Sequence, residues 1–465
     1  MRATPELRGR GIARSTILYA GGAVAGKVAG VVLLPILARG LGPSDYGLFD
    51  IISTIGSTLT VVLLLGLDSA ATRFASGRDE RTTASVFSTW LLIAMAVGAT
   101  AAVTIAITSS VISGAAVGSG AATNGLRLLA VIVPAGIVNL VGLTALRVQA
   151  RAGWYAMVVG GSLVLNAILA ALAVGPMQLG PSGAIGAWLV AVTCSAVLTI
   201  VLSGVRPRWQ VDPVLARRLL SFGLPLVPAI AIALGAEVAH RLILLTVVGA
   251  DAVGVLSVAT RLASVVGLIG VATNLAWVPM TYAASAGGQV DQRVLRPAVR
   301  AIGIMLAVAI ATSWMAAPAA SVLAGPGFET VTAAIGPLAI GAAAMGALPL
   351  VGIGSAIAFR SSEIASATIL GASIGVMLSV ILVPRFGLTG SAMSIGIGQV
   401  ISVVVMASLA RRHAMARVPF TRLAAAAAVA SIAVIGLTVG SLDGAIAAAW
   451  MAGCSALAVS ITWMY

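Results

Sequence analysis

Fourteen stretches of this chain are each 20 residues or longer and predominantly apolar, enough to cross the ~30 Å hydrocarbon core of a bilayer as α-helices. They run roughly over 16–38, 46–68, 85–108, 125–147, 154–175, 183–204, 219–248, 252–282, 299–323, 330–357, 363–383, 389–410, 421–440 and 444–463. In lipid every backbone polar group needs a partner inside the protein, so a chain written this way folds as a bundle of helices. No connecting stretch is long enough for a soluble domain; the longest are Val205–Arg218 and Ala284–Ala298. Composition agrees, because 60% of the 465 residues are apolar and only 9% are charged. The soluble domains that length alone suggests would lack the polar surface they need. The expected fold class is an all-α polytopic membrane protein with 14 transmembrane helices.

The net charge of +14 would point to nucleic acid in a soluble protein. Its placement points to membrane topology instead. Twenty-one of the 27 cations fall at helix ends and loops on the side that holds the N-terminus. Three (Arg39, Arg127, Arg385) fall on the other side, and three (Lys27, Arg241, Arg261) fall inside the spans. One missed helix would invert every later loop, so this asymmetry supports the count and places both termini in the cytoplasm of a multi-pass inner (plasma) membrane protein. The basic segment Met1–Arg14 precedes an apolar run that leads straight into another, which reads as a first spanning helix rather than a cleaved signal.

The chain repeats itself. Leu41–Phe49 aligns with Val248–Leu256 at an offset of 207, and Gly180–Ala184 aligns with Gly387–Ser391 at the same offset. Six helices lie between equivalent points, an even number, so the repeats are parallel and a pseudo-twofold axis along the membrane normal is expected. This gives an N-terminal six-helix lobe over 1–204, a cytoplasmic linker over 205–218, a second six-helix lobe over 219–410, and an appended helix pair over 411–465.

Charged groups inside spans are costly and mark functional paths. Glu237, His240 and Arg241 lie on helix 7 and Arg261 on helix 8, either side of the turn Gly249-Ala250-Asp251; Lys27 lies about mid-way along helix 1. Counting from the turn puts Arg241 and Arg261 at similar depth, roughly 12–15 Å at ~1.5 Å per residue. Lys27, Arg241 and Arg261 are therefore the candidate ligands of a buried anion. For Lys27 the competing reading is snorkelling to the interface, and for Arg261 an ion pair across helices. Glu237 stands four residues before Arg241, the spacing of an ion pair, and gating or coupling is the alternative role. His240 reads as an interhelical hydrogen-bonder, with proton relay or coupling as the alternative. Pro225 and Pro228 are expected to kink the far end of helix 7. Cys194 and Cys454 sit in apolar runs, and neither metal-ligand spacing, a phosphate loop nor paired catalytic carboxylates appear. The expectation is thus no catalysis, no metal and no cofactor.

Several of these segments resemble a known family. Leu37-Ala38-Arg39-Gly40-Leu41-Gly42-Pro43-Ser44-Asp45-Tyr46-Gly47 is similar to the first-hairpin signature of bacterial polysaccharide flippases, as is Leu65-Gly66-Leu67-Asp68 through Arg73. Phe222-Gly223-Leu224-Pro225-Leu226-Val227-Pro228 and Val253–Ala259 resemble the openings of helices 7 and 8, and Asn166 followed by Gly180–Ala184 resembles the helix 5–6 pattern. The family is the oligosaccharide-exporting branch of the multidrug/oligosaccharidyl-lipid/polysaccharide exporter superfamily. The resemblance implies two six-helix lobes and alternating access. It also implies a cargo of undecaprenyl-pyrophosphate-linked oligosaccharide moved from the cytoplasmic to the outer leaflet for cell-surface polysaccharide. The partners so implied are that lipid-linked substrate and membrane lipids, without nucleic acid, and glycan-assembly enzymes are further candidates. The alternatives are a lipid II flippase, a cation-coupled multidrug exporter of the same fold, and a membrane enzyme of polysaccharide assembly. Helix 1 has the single Lys27 where the lipid II branch is rich in arginine, and it has no acid of the kind used for cation coupling.

Overall fold

The computed structural model describes residues 5–76, 78–116, 120–207, 212–284, 292–358, 360–413, 419–439 and 444–463, with backbone alone over 5–29 and at some further positions. Its helices are α1 (Pro5–Val62), α2 (Leu67–Ala75), α3 (Glu80–Ala116), α4 (Gly120–Val148), α5 (Ala152–Val174), α6 (Gly180–Ser203), α7 (Pro213–Gly223) and α8 (Val227–Val247). There follow α9 (Ala250–Ala284), α10 (Gln292–Trp314), α11 (Ala316–Leu323), α12 (Val331–Val351), α13 (Ile353–Ile357), α14 (Ser361–Ala410), α15 (Phe420–Val439) and α16 (Gly444–Trp463). Among the described residues nine helical stretches are long and apolar enough to cross a membrane, and α15 and α16 contain shorter apolar helices. α1 breaks at Gly42 and α14 at Gly387, so each is two spans end to end. Taking their arms separately recovers the fourteen expected helices.

The breaks fall on the glycines of the repeat. Gly42 and Gly249 have φ of 72° and 122°, and Gly180 and Gly387 have φ of 61° and 54°. Only a residue without Cβ adopts such angles at low cost, so a helix running into one of them stops and the chain turns. That is why two Gly-containing patterns at a common offset were visible in the sequence.

By Cα packing the chain forms two compact units: residues 1–41 with 48–238, and residues 42–47 with 239–465. In the first unit α4 packs against α3 and α6 on small residues. A Cβ at Gly98 of α3 would meet Pro134 of α4, and one at Gly142 of α4 would meet Thr199 of α6. Such small-residue seams let backbones approach where lipid provides no hydrophobic drive between helices. Asn139 accepts hydrogen bonds there from Ser195 at 2.9 Å and Thr199 at 3.4 Å. The second unit is built around α12, flanked by α9, α10 and α14. Its close approaches pair Gly270 with Gly346, Gly341 with Gly396, and Gly371 with Gly398. The last two helices dock on α10, where Gly303 makes room for Thr462 and the Arg300 guanidinium lies 5.2 Å from the centre of the Trp463 ring.

The stretch read as a linker, 205–218, is partly helical. α7 begins at Pro213, with the Asp212 carboxylate accepting from the amides of Val214 and Leu215 at 2.9 and 3.2 Å. An acidic N-cap followed by proline starts helices, and the helix started here makes, together with α8, one stretch apolar and long enough to cross a membrane, Pro213–Val247.

Candidate functional site

The motifs that carry the family resemblance meet pairwise. In the first unit the Leu65–Arg73 segment meets the Phe222–Pro228 segment. The chain unwinds over Leu63–Gly66, with Leu65 and Gly66 at positive φ, and a Cβ at Gly66 would lie 2.6 Å from the Gly223 carbonyl oxygen. Beside that approach Arg73 stacks over the Phe222 ring at 4.9 Å, and Phe74 meets the same ring edge-on at 6.1 Å. Here glycine is required by contact, and the aromatic and cationic residues around it close the seam.

In the second unit the turn over 42–47 meets the start of α9. A Cβ at Gly47 would run into the Ala250 carbonyl and the Gly254 amide, and one at Gly254 into the Pro43 carbonyl. The next residue in, Tyr46, is 0% exposed. Its ring stands edge-to-face with Phe328 (6.2 Å, 77°), and its hydroxyl accepts a long 3.4 Å hydrogen bond from Ser257. One turn beyond Ser257 on the same face of α9, Arg261 places its guanidinium carbon over the Tyr46 ring, 5.4 Å from the centroid.

These placements locate the site residues expected from sequence. Arg261 is half-buried and lies against an aromatic face. Arg241 is also half-buried, and Glu237, one turn before it on α8, is exposed. The break expected at Pro225 and Pro228 is a 3₁₀ turn over Leu224–Leu226 between α7 and α8. Arg241 lies six residues before the end of α8 and Arg261 eleven after the start of α9, or about 9 and 16 Å along the two helices. Arg261 is thus the deeper of the two. His240 is buried in the second unit, its Nδ1 2.6 Å from the Ser379 hydroxyl of α14. The ring is received opposite Gly375, one turn before Ser379, where a Cβ would come to 3.5 Å from Cε1. Lys27 lies in the first arm of α1, and its side chain falls outside the described residues.

Tyr46, Phe328, Ser257 and Ser379 were not singled out by sequence reasoning. Tyr46 lay inside a quoted motif, and its signal was that a large aromatic stood in a turn otherwise made of Gly, Pro and small polar residues. Ser257 could have been found from Arg261 by its i−4 spacing. Phe328 comes from the loop between α11 and α12 and Ser379 from α14, both distant in the chain, and no local pattern announces them.

Helices that fill the described chain, broken at glycines and carrying charged side chains within their spans, define a polytopic α-helical membrane protein. Solved structures extend this. The chain matches "Lipid II flippase MurJ, inward closed conformation" with TM-score 0.75 at 12% identity, over 96% of this chain and 98% of that one. It matches the inward-facing conformation of a multidrug resistance MATE family transporter of the MOP superfamily with TM-score 0.66 at 17% identity, over 90% and 96%. It matches a MOP superfamily transporter from Pyrococcus furiosus with TM-score 0.59 at 19% identity, over 86% and 95%. At these identities the likeness is one of fold: the chain has the fold of MOP-superfamily transporters. No curated protein sequence matches it. A family model described as "Polysaccharide biosynthesis protein" matches residues 36–333, well over half the chain, and the chain belongs to that family.

Proposed function

We propose that the chain moves an undecaprenyl-pyrophosphate-linked oligosaccharide from the cytoplasmic to the outer leaflet of the plasma membrane by alternating access, without catalysis. The lobes are 1–204 and 219–410, joined through 205–218, with the helices of 411–465 appended and both termini cytoplasmic. The observation that carries this reading is Arg261. It is a half-buried cation well inside a spanning helix, in a chain that belongs to a polysaccharide biosynthesis family. A pyrophosphate leaving water needs cationic partners to replace its hydration, and the planar fork of arginine suits it. Lys27, Arg241 and Arg261, with Glu237 beside Arg241, leave a charge of +2 against a dianionic headgroup. Glu237 and His240 are the residues available for gating or coupling.

A second reading is favoured by the fold match to MurJ, whose name gives lipid II as its cargo, over nearly the full length of both chains. Both cargoes share the isoprenyl pyrophosphate, so the cationic site serves either, and the sugar separates them. Depleting the protein in its own host should strand lipid-linked oligosaccharide in the cytoplasmic leaflet while lipid II still reaches the outer one. Stranding of lipid II alone would favour the second reading. Normal export of both would contradict the flippase assignment.

A further inference from the structure

The Arg261 guanidinium carbon lies 5.4 Å from the centre of the Tyr46 ring, within the range of a cation–π attraction. A guanidinium near an aromatic face is attracted by the ring quadrupole, an interaction of charge with ring that is not an N–H···O hydrogen bond. The ring therefore restrains the guanidinium without itself supplying an oxygen acceptor to the fork. The ring is itself immobilised: it is fully buried, braced by Phe328 and bonded to Ser257. The turn that carries it is seated by the Gly47–Gly254 approach, which leaves no room for a Cβ on either side. Arg261 remains half-buried, so part of its surface is still within reach of a ligand.

We propose that Tyr46 is a positioning residue for Arg261: its ring face pre-orients the guanidinium so that the fork meets the pyrophosphate of the cargo. This rests on the reading of Arg261 as an anion ligand. Because Tyr46 belongs to the 42–47 turn, the same contact makes anion affinity depend on that turn being seated on α9. An arginine free to sample its rotamers would lose that freedom on binding, whereas one already leaning on a ring loses less.

The test is the affinity of the purified full-length protein for undecaprenyl pyrophosphate, with position 46 varied in its electronics and held in its shape. Tyr46→Phe keeps the ring face and removes the hydroxyl with its long contact to Ser257, so binding should stay within about twofold. Replacing that phenylalanine by its mono-, di- and trifluoro analogues drains the ring face stepwise at nearly constant volume. Affinity should fall with each fluorine, by about 2- to 30-fold across the series, the range that cation–π energies allow. Tyr46→Leu, which removes the ring, should lose at least as much, and thermal unfolding of each variant verifies that it is folded. Arg261→Ala, measured alongside, separates this proposal from the site reading it rests on. Loss of binding in Arg261→Ala with a flat fluorination series would leave the anion site standing and overturn the role of Tyr46. Unchanged binding in Arg261→Ala would overturn both.

Discussion

Arg261 and Arg241 are both half-buried cations of the second unit, yet their surroundings differ. Arg261 has an aromatic face beneath it, whereas Arg241 has a carboxylate one turn away on its own helix. Arg241→Ala should impair transport mainly by leaving Glu237 without that neighbouring charge. Changing Glu237 to Gln in the same protein should then restore part of the rate. In a double-mutant cycle on transport or thermal stability the pair should show a coupling of about 0.5–3 kcal/mol. Strict additivity of the two changes would rule the pair out. His240 illustrates how much of a site can be read without coordinates. That a lone histidine inside a span would find a hydrogen-bonding partner followed from the cost of leaving it bare, but that the partner is Ser379, far along the chain, did not. The Tyr46–Arg261 contact was likewise illegible, because it joins residues over two hundred positions apart and leaves no periodic trace.

At the scale of the element, the helices were legible because each span needs a long apolar run and each boundary costs polar or glycine residues. Their breaks were legible where glycine repeated at a common offset and where Pro225 and Pro228 interrupt helix 7. The unwound stretch at Leu63–Gly66 was not marked by the apolar pattern, which continues through it; what imposes it is the approach of Gly223. The first part of α7, 213–218, was read as linker because its charged residues suit a loop, although Asp212 and Pro213 form a start signal. Gly42 makes the sharpest test of this level. At φ 72° and ψ 174° it occupies a region that is essentially glycine-only. Gly42→Ala should lower stability by about 1–3 kcal/mol, read as a fall in the thermal unfolding midpoint of the detergent-solubilised protein. At Gly30, where nothing would meet a new Cβ and φ is ordinary, the same change should be close to neutral. Equal effects at the two positions would mean that the turn at Gly42 is not the strained point the backbone shows.

At the scale of the whole molecule, the sidedness of the cations predicts which loops face the cytoplasm. In a background with Cys194 and Cys454 replaced, single cysteines at Gly180 and Ala250 should react with an impermeant thiol reagent added to intact cells. Cysteines at Ser76 and Val214 should be protected until the membrane is opened. Labelling of all four from one side would break the fourteen-helix arrangement. Anion binding by Arg261 is tested most directly by flipping in proteoliposomes. Wild-type protein and Arg261→Ala would be reconstituted at equal density with an undecaprenyl-pyrophosphate-linked oligosaccharide, and its appearance in the opposite leaflet measured. The cationic-site account predicts transport by the wild type, loss of transport in Arg261→Ala with protein abundance and unfolding midpoint nearly unchanged, and partial recovery in Arg261→Lys, which keeps the charge but not the planar fork. A normal rate in Arg261→Ala would contradict it.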